Sequence, residues 1–152
     1  MPEMQEPEKI SPKTPGNYLE IMSKVVFQSG MPYKIVESKW PGTREAFHNF
    51  DAAKVAGMTP EEIDGLTEDT RVIRNRRKLE AVVGNAQTLL QLESEFSGFQ
   101  AYLRSHGDFP SLVKDLRKRF KFLGEMGCYY YLHVVGEEVP PHEEWMASLK
   151  KR

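Results

Sequence analysis

A chain of 152 residues, 39% hydrophobic and 28% charged, with eight Phe, six Tyr and two Trp, has the size and make-up of one globular domain around one apolar core. No apolar run approaches the roughly 20 residues that span a bilayer, and the first sixteen residues, MPEMQEPEKISPKTPG, hold no stretch of the kind a secretory signal needs. One cysteine, Cys128, excludes an internal disulfide and fits a reducing, cytoplasmic setting, while a net charge of −1 excludes a histone-like polycation.

Residues 1–16, rich in Pro, Glu and Lys, predict a disordered or extended lead, and residues 17–152 one helical domain. Asn17 is the expected cap of a first helix in which Tyr18, Ile21, Met22, Val25 and Val26 recur at helical spacing up to Gly30. A short helix opened by Pro32 is expected to close before Pro41-Gly42, with Thr43 capping a further turn through Phe50. Asp51 caps the next short helix. Thr59-Pro60-Glu61-Glu62 is a capping box. The longest helix spans about 76–95 on the stripe Leu79, Val82, Val83, Ala86, Leu89, Leu90 and Leu92. Phe96, Phe99, Tyr102 and Leu103 are assigned to a separate helix after Gly98. Pro110-Ser111 opens a basic helix, a tight turn near FLGEMG leads into CYYYLHVVG, and a last short helix follows Pro140-Pro141. No segment alternates with period two, so the expectation is all-α: a compact bundle of about eight to ten short helices without internal repeats.

Charge is segregated. Residues 71–78 (RVIRNRRK) carry five basic and no acidic side chains, and residues 114–121 (KDLRKRFK) five basic and one acidic. Such clusters suit a face for a polyanion, though solvated helix surfaces produce the same pattern. There is no phosphate-binding glycine loop, and the four histidines and one cysteine are too scattered for a metal site, so neither cofactor nor metal is expected. The turn after the second basic cluster is more informative. A glycine turn between two helices exposes N–H groups at the start of the second, where a DNA phosphate fits the helix dipole. Lys118, Lys121, Gly124 and Gly127 are its candidate DNA contacts. An ordinary pair of helices joined by a glycine turn gives the same signal.

Four further segments occur together: Phe47-His48-Asn49-Phe50-Asp51, Lys54-Val55-Ala56-Gly57-Met58, Ile73-Arg74-Asn75-Arg76-Arg77-Lys78 and Gly84-Asn85-Ala86. With Phe120-Lys121-Phe122-Leu123-Gly124 and Cys128-Tyr129, they resemble the 3-methyladenine DNA glycosylase type I family over about residues 18–136. The resemblance implies two helical lobes with a cleft between them and a helix-hairpin-helix gripping double-stranded DNA. It further implies a damaged base everted into the cleft, where its glycosidic bond is hydrolysed. A cationic 3-methylated adenine leaves readily, so binding the everted base does most of the work. Arg74 and Arg76 join the implied DNA contacts, and Gln28, Tyr33 and Trp40 are the candidate base-binding residues. The chain departs from the family's pattern at Val25, where the family has a pocket Glu, and at Tyr33, where it has a Trp; the family's zinc ligands have no counterpart. In the wider helix-hairpin-helix superfamily a catalytic Asp follows the hairpin's second helix. Glu143, with His142 beside it, falls near that place, although acids in the first turn of a helix need no function to be there. The implied protein is a monomeric base-excision repair hydrolase without a membrane partner. The alternatives are a non-catalytic DNA-binding protein that keeps the fold, and a helical protein-interaction domain.

Overall fold

The structure, a computed structural model, describes residues 9–150; the front of the expected lead, residues 1–8, lies outside them. The described residues form nine α-helices and one 3-10 turn, with no strand. They are α1 (Pro15–Gln28), α2 (Tyr33–Ala46), the turn His48–Phe50, α3 (Ala52–Ala56), α4 (Pro60–Leu66), α5 (Arg76–Phe96), α6 (Phe99–Leu103), α7 (Phe109–Arg119), α8 (Glu125–Val134) and α9 (His142–Lys150). The all-α expectation and the helix count hold.

The axis is α5, 21 residues or about 30 Å long. Asn75 caps it, its side chain accepting from the Lys78 N–H at 3.2 Å. The apolar stripe is buried as its spacing predicts: Leu79, Val82, Ala86 and Leu89 are fully enclosed. Helices α1, α3, α4 and α6 pack around it. Left-handed Ser97 (φ 57°) and Gly98 end α5 after Phe96, which is therefore its last residue and not part of α6.

Several local expectations give way to packing. Thr14, not Asn17, caps α1: its hydroxyl accepts from the Asn17 N–H at 3.2 Å, and Pro15 occupies the first turn. The end of the lead is tied down, with the Ile10 N–H donating to the Val134 carbonyl at 2.9 Å. Gly16 admits no side chain, because a Cβ would stand 2.2 Å from the Phe50 carbonyl oxygen. Pro41 does not end α2, which runs on to Ala46. Trp40 and Thr43, on either side of the proline, are both buried, and Thr43 is no cap; its hydroxyl donates back to the Lys39 carbonyl at 2.8 Å. Tertiary burial of that face outweighs the loss of one helical hydrogen bond. His48, Asn49 and Phe50 then all adopt positive φ. The Asp51 cap (3.1 Å to the Lys54 N–H) and the Thr59–Glu62 capping box form as expected.

The second basic helix, α7, is capped by Asp108, whose side chain accepts from the Ser111 N–H at 2.8 Å, one step before the expected Pro110-Ser111 start. Phe109 and Trp145 meet edge-on at 4.9 Å and anchor α9 against α7. Asp115 collects three donors: the Tyr102 hydroxyl (2.6 Å), His106 Nε2 (3.1 Å) and Arg119 Nε (2.9 Å). A turn of five residues, 120–124, joins α7 to α8. Leu123 is buried beneath it, while Lys121, Phe122 and Gly124 face solvent. The left-handed residue of the turn is Phe122 (φ 62°), not Gly124, which has an ordinary φ of −91° and stands at the N-cap of α8. A bulky residue in that region costs on the order of 1–2 kcal/mol. The turn is held from below by Asn85 of α5, 1% exposed, which accepts from the Lys121 N–H at 2.8 Å and donates to the Lys121 carbonyl at 3.2 Å.

Two outcomes are expected. Asn85→Ala removes both bonds beneath the turn and should lower unfolding stability by about 2 kcal/mol in urea. A loss below about 0.5 kcal/mol would show that the turn keeps its shape unaided. Burial alone would raise the proton affinity of Asp115, but its hydrogen bonds outweigh burial and hold the carboxyl below its ordinary value of 3.8. Its contribution is therefore complete above that value and disappears as pH falls through the lower folded-state value. Asp115→Asn should flatten that part of the stability–pH profile, and an unchanged acid limb would contradict the assignment.

Candidate functional site

Two buried polar side chains on α5 position two turns of main chain. Lys78 and Asn85 are seven residues apart, two helical turns and about 10 Å along one face. Asn85 holds the α7–α8 turn as described. Lys78, 6% exposed, donates from Nζ to the Phe27 carbonyl at 3.2 Å and to the Ser29 carbonyl. It thereby caps the C-terminus of α1 with a cation. Burial lowers the proton affinity of its ammonium below the ordinary lysine value. Neither residue was assigned a role from sequence. The available signal was a Lys and an Asn interrupting the apolar stripe of a helix at i and i+7.

Between the two carbonyls held by Lys78 lies Gln28. Its side chain is 6% exposed, and neither Oε1 nor Nε2 has a hydrogen-bond partner among the described residues. Leaving a buried amide unmatched costs about 1–3 kcal/mol per group, so this position stands out energetically. Tyr33, five residues on, is half-buried at the start of α2 and donates to Glu37 Oε1 at 3.3 Å. Burial, followed by the Glu37 carboxylate, raises its phenol above the ordinary value. Gln28 and Tyr33 thus flank one turn.

Trp40 belongs to a different environment, and its assignment as a base-stacking residue is corrected. It is 5% exposed, stacked on Phe50 at 5.5 Å and edge-on to Phe27 at 6.1 Å, with Nε1 donating to Glu20 at 2.9 Å. Its ring is a core residue.

The side of α1 one turn before Gln28 is closed by α8. A Cβ on Gly127 would come within 3.0 Å of Val25 Cγ1. Farther along, the Tyr131 hydroxyl donates to the Tyr18 carbonyl at 3.0 Å, so the two helices run antiparallel. Gly127 is therefore a buried close-approach point and not an exposed DNA contact, which corrects the sequence assignment. Of the three consecutive tyrosines, Tyr131 faces α1 and Tyr129 donates to the Pro140 carbonyl at 2.8 Å. Tyr130 is partly exposed and lies 6.2 Å from the His142 ring. His142 and Glu143 occupy the exposed first turn of α9. They adjoin the tyrosines through His142, whose ring lies 5.6 Å from that of Tyr129 and 6.2 Å from that of Tyr130. Cys128, beneath them, is fully buried, and burial pushes its thiol up to about 12. It is no nucleophile.

The two basic clusters separate on inspection. Lys78 is internal, Arg71 pairs with Asp69 (2.7 Å) and Glu45 (3.0 Å), and Arg76 pairs with Asp64 and Glu80. Arg76 is thus engaged in the free protein by two exposed carboxylates, while Arg74 and Arg77 stay exposed. In the second cluster Arg117 pairs with Glu125 (3.6 Å) and Arg119 with Asp115 (2.9 Å). Lys114, Lys118 and Lys121 stay exposed and outside any ion pair among the described residues. With the open N-terminus of α8 at Gly124 they form a cationic edge around the turn. Separate hollows occur elsewhere; one of about 700 Å³ is lined by Arg104, His106, Phe109, Glu137 and Pro140. Among the described residues no cluster of three or more His, Cys, Asp or Glu is disposed to hold a metal ion, and no helix is long and apolar enough to cross a membrane.

Comparison with known proteins places the chain in a family. The family model described as methyladenine glycosylase matches residues 14–112. DNA-3-methyladenine glycosylase 1 of Escherichia coli K12 is 32% identical over 130 residues, covering 72% of this chain and 70% of that protein. The DNA-3-methyladenine glycosylase of Haemophilus influenzae is 33% identical over the same length and shares. Among solved structures, the chain is similar to a 3-methyladenine DNA glycosylase I variant in complex with 3-methyladenine. That match has a TM-score of 0.75 and 26% identity, covering 88% of this chain and 86% of the other. It is also similar to the Staphylococcus aureus 3-methyladenine DNA glycosylase I (TM-score 0.74, 25% identity, covering 85% and 80%). With the matched model spanning more than half the sequence, the chain belongs to the methyladenine glycosylase family.

Proposed function

We propose that this chain is a base-excision repair glycosylase acting on double-stranded DNA. It everts an alkylated purine such as 3-methyladenine and hydrolyses its N-glycosidic bond. The observation that carries the reading is Gln28: an amide buried to 6% exposure, with donor and acceptor both unmatched among the described residues, at the turn that Lys78 holds and that Tyr33 follows. A purine edge offers the complementary acceptor and donor, and the Tyr33 ring offers a stacking surface. The names of the relatives support the choice of base.

In the reaction the bond between the sugar C1′ and the base nitrogen breaks with its electron pair going to the base. Water then adds its oxygen to C1′ and loses a proton. A cationic alkylated purine leaves as a neutral molecule, so the chain's task is to hold the base out of the stack and the sugar in line. Glu143, exposed beside His142 on α9, is the proposed carboxylate for the positive charge that develops on the sugar. Around the α7–α8 turn, Lys118, Lys121 and the open N–H groups at Gly124 are the proposed phosphate grip, with Arg74 as a further contact.

A second reading, a DNA-binding protein that keeps the fold without excising bases, draws on one observation. Val25 is 2% exposed and packs against Gly127, which leaves an apolar, closed wall one turn from Gln28. Release of free bases from alkylated duplex DNA, followed by chromatography, separates the two. The first reading requires a methylated purine in the product; salt-dependent binding without release leaves only the second, and no binding removes both.

Two variants sharpen this. Gln28→Met, of similar volume but without the unmatched amide, should raise the stability of the free protein by about 1–2 kcal/mol while abolishing base release. A destabilised variant, or one that still releases base, would show that Gln28 is merely structural. Lys121→Glu should weaken binding to all duplexes alike, and unchanged affinity would remove the turn from the interface.

A further inference from the structure

The tip of the α7–α8 turn carries an aromatic ring that a grip on phosphates does not use. Phe122 is 37% exposed, one of three large apolar side chains so exposed among the described residues. It is also left-handed, with φ 62°, a conformation that a bulky side chain avoids and a glycine adopts freely. Both properties are unfavourable in the free protein, and glycine at this position would relieve both. The conformation is imposed from either side. Asn85 fixes the main chain of Lys121 before it, and Leu123 is buried after it. The surroundings select the occupant by charge: Lys118 and Lys121, four residues and one residue before Phe122 in the chain, are exposed and outside any ion pair among the described residues, and the N-terminus of α8, without a side-chain cap, follows at Gly124.

An apolar ring set among cations and open N–H groups matches a nucleic-acid backbone, in which charged phosphates alternate with apolar sugar faces. We infer that Phe122 is a DNA contact of its own kind: its ring packs on the deoxyribose of the strand whose phosphates the turn holds. The inference rests on the proposed DNA grip and adds to it a contact that is independent of both sequence and salt. It explains why the turn keeps a strained phenylalanine at the position where its backbone calls for glycine.

The test is a titration of the whole chain against an undamaged duplex from about 50 to 200 mM salt, followed by fluorescence anisotropy. Phe122→Gly and Phe122→Asn, both compatible with the left-handed backbone, should bind about five- to tenfold more weakly at every salt concentration. Their log–log salt slope should match that of the parent, and their urea midpoint should match or exceed the parent's. Lys121→Ala, by contrast, should lower the slope by about 0.9, the share of one phosphate. Affinity of both Phe122 variants within twofold of the parent overturns the inference. So does a slope reduced as for a lost phosphate, or a fall in urea midpoint that accompanies the weaker binding. If Lys121→Ala changes neither affinity nor slope, the DNA grip fails with it; if only the Phe122 variants are silent, the grip stands and the ring has no part in it.

Discussion

Two hydrogen-bonding side chains buried on one helix face organise the molecule's candidate working surface. Lys78 and Asn85 sit on α5, and each is satisfied by main-chain groups of another segment: Lys78 by the carbonyls at the end of α1, Asn85 by both main-chain groups of Lys121. A buried polar group without its partner costs more than a made bond contributes, so each side chain strongly favours one arrangement of its turn. Because both stand on a rigid helix, the α1–α2 turn and the α7–α8 turn keep a fixed separation. Anything grasped by one is presented to the other at a set distance.

That arrangement leaves its unsatisfied features at the two turns. Gln28 keeps both amide atoms unmatched between the carbonyls that Lys78 holds, and Phe122 keeps a left-handed backbone and a wet ring above Asn85. Elsewhere caps form, the α5 stripe is buried and the carboxylate of Asp115 is met by three donors, while left-handed backbone recurs at Ser97 and at the tight turn His48–Phe50. An unmatched amide at one turn and a strained, exposed ring at the other suit a binding surface, since stability not recovered in the free protein is available to a ligand.

Electrostatics narrows the surface further. Of the ten basic side chains in the two clusters, Arg71, Arg76, Arg117 and Arg119 are engaged by acids of the same chain, and Lys78 is internal. The cations left for a partner are Lys114, Lys118 and Lys121 on the second cluster and Arg74 and Arg77 on the first. A near-neutral protein thus presents a local positive edge without the self-repulsion of a high net charge.

Helical content, the caps at Asp51 and Thr59 and the apolar stripe of α5 were legible in the sequence, because they depend on residues within a few positions of one another. The motif residues also pointed to the family. What the sequence alone did not determine was which side chains turn inward. Lys78 looked like one more solvated cation in RVIRNRRK and is a buried cap; Trp40 looked available for stacking and is enclosed by Phe27 and Phe50; Gly127 looked like a surface contact and is where α8 meets Val25. Pro41 looked like a helix end and lies within α2, because its neighbours Trp40 and Thr43 are buried. In each case the outcome depends on an element distant in the chain that supplies the missing partner or covers the exposed face. Local periodicity carries no record of that element, and only tertiary packing decides it.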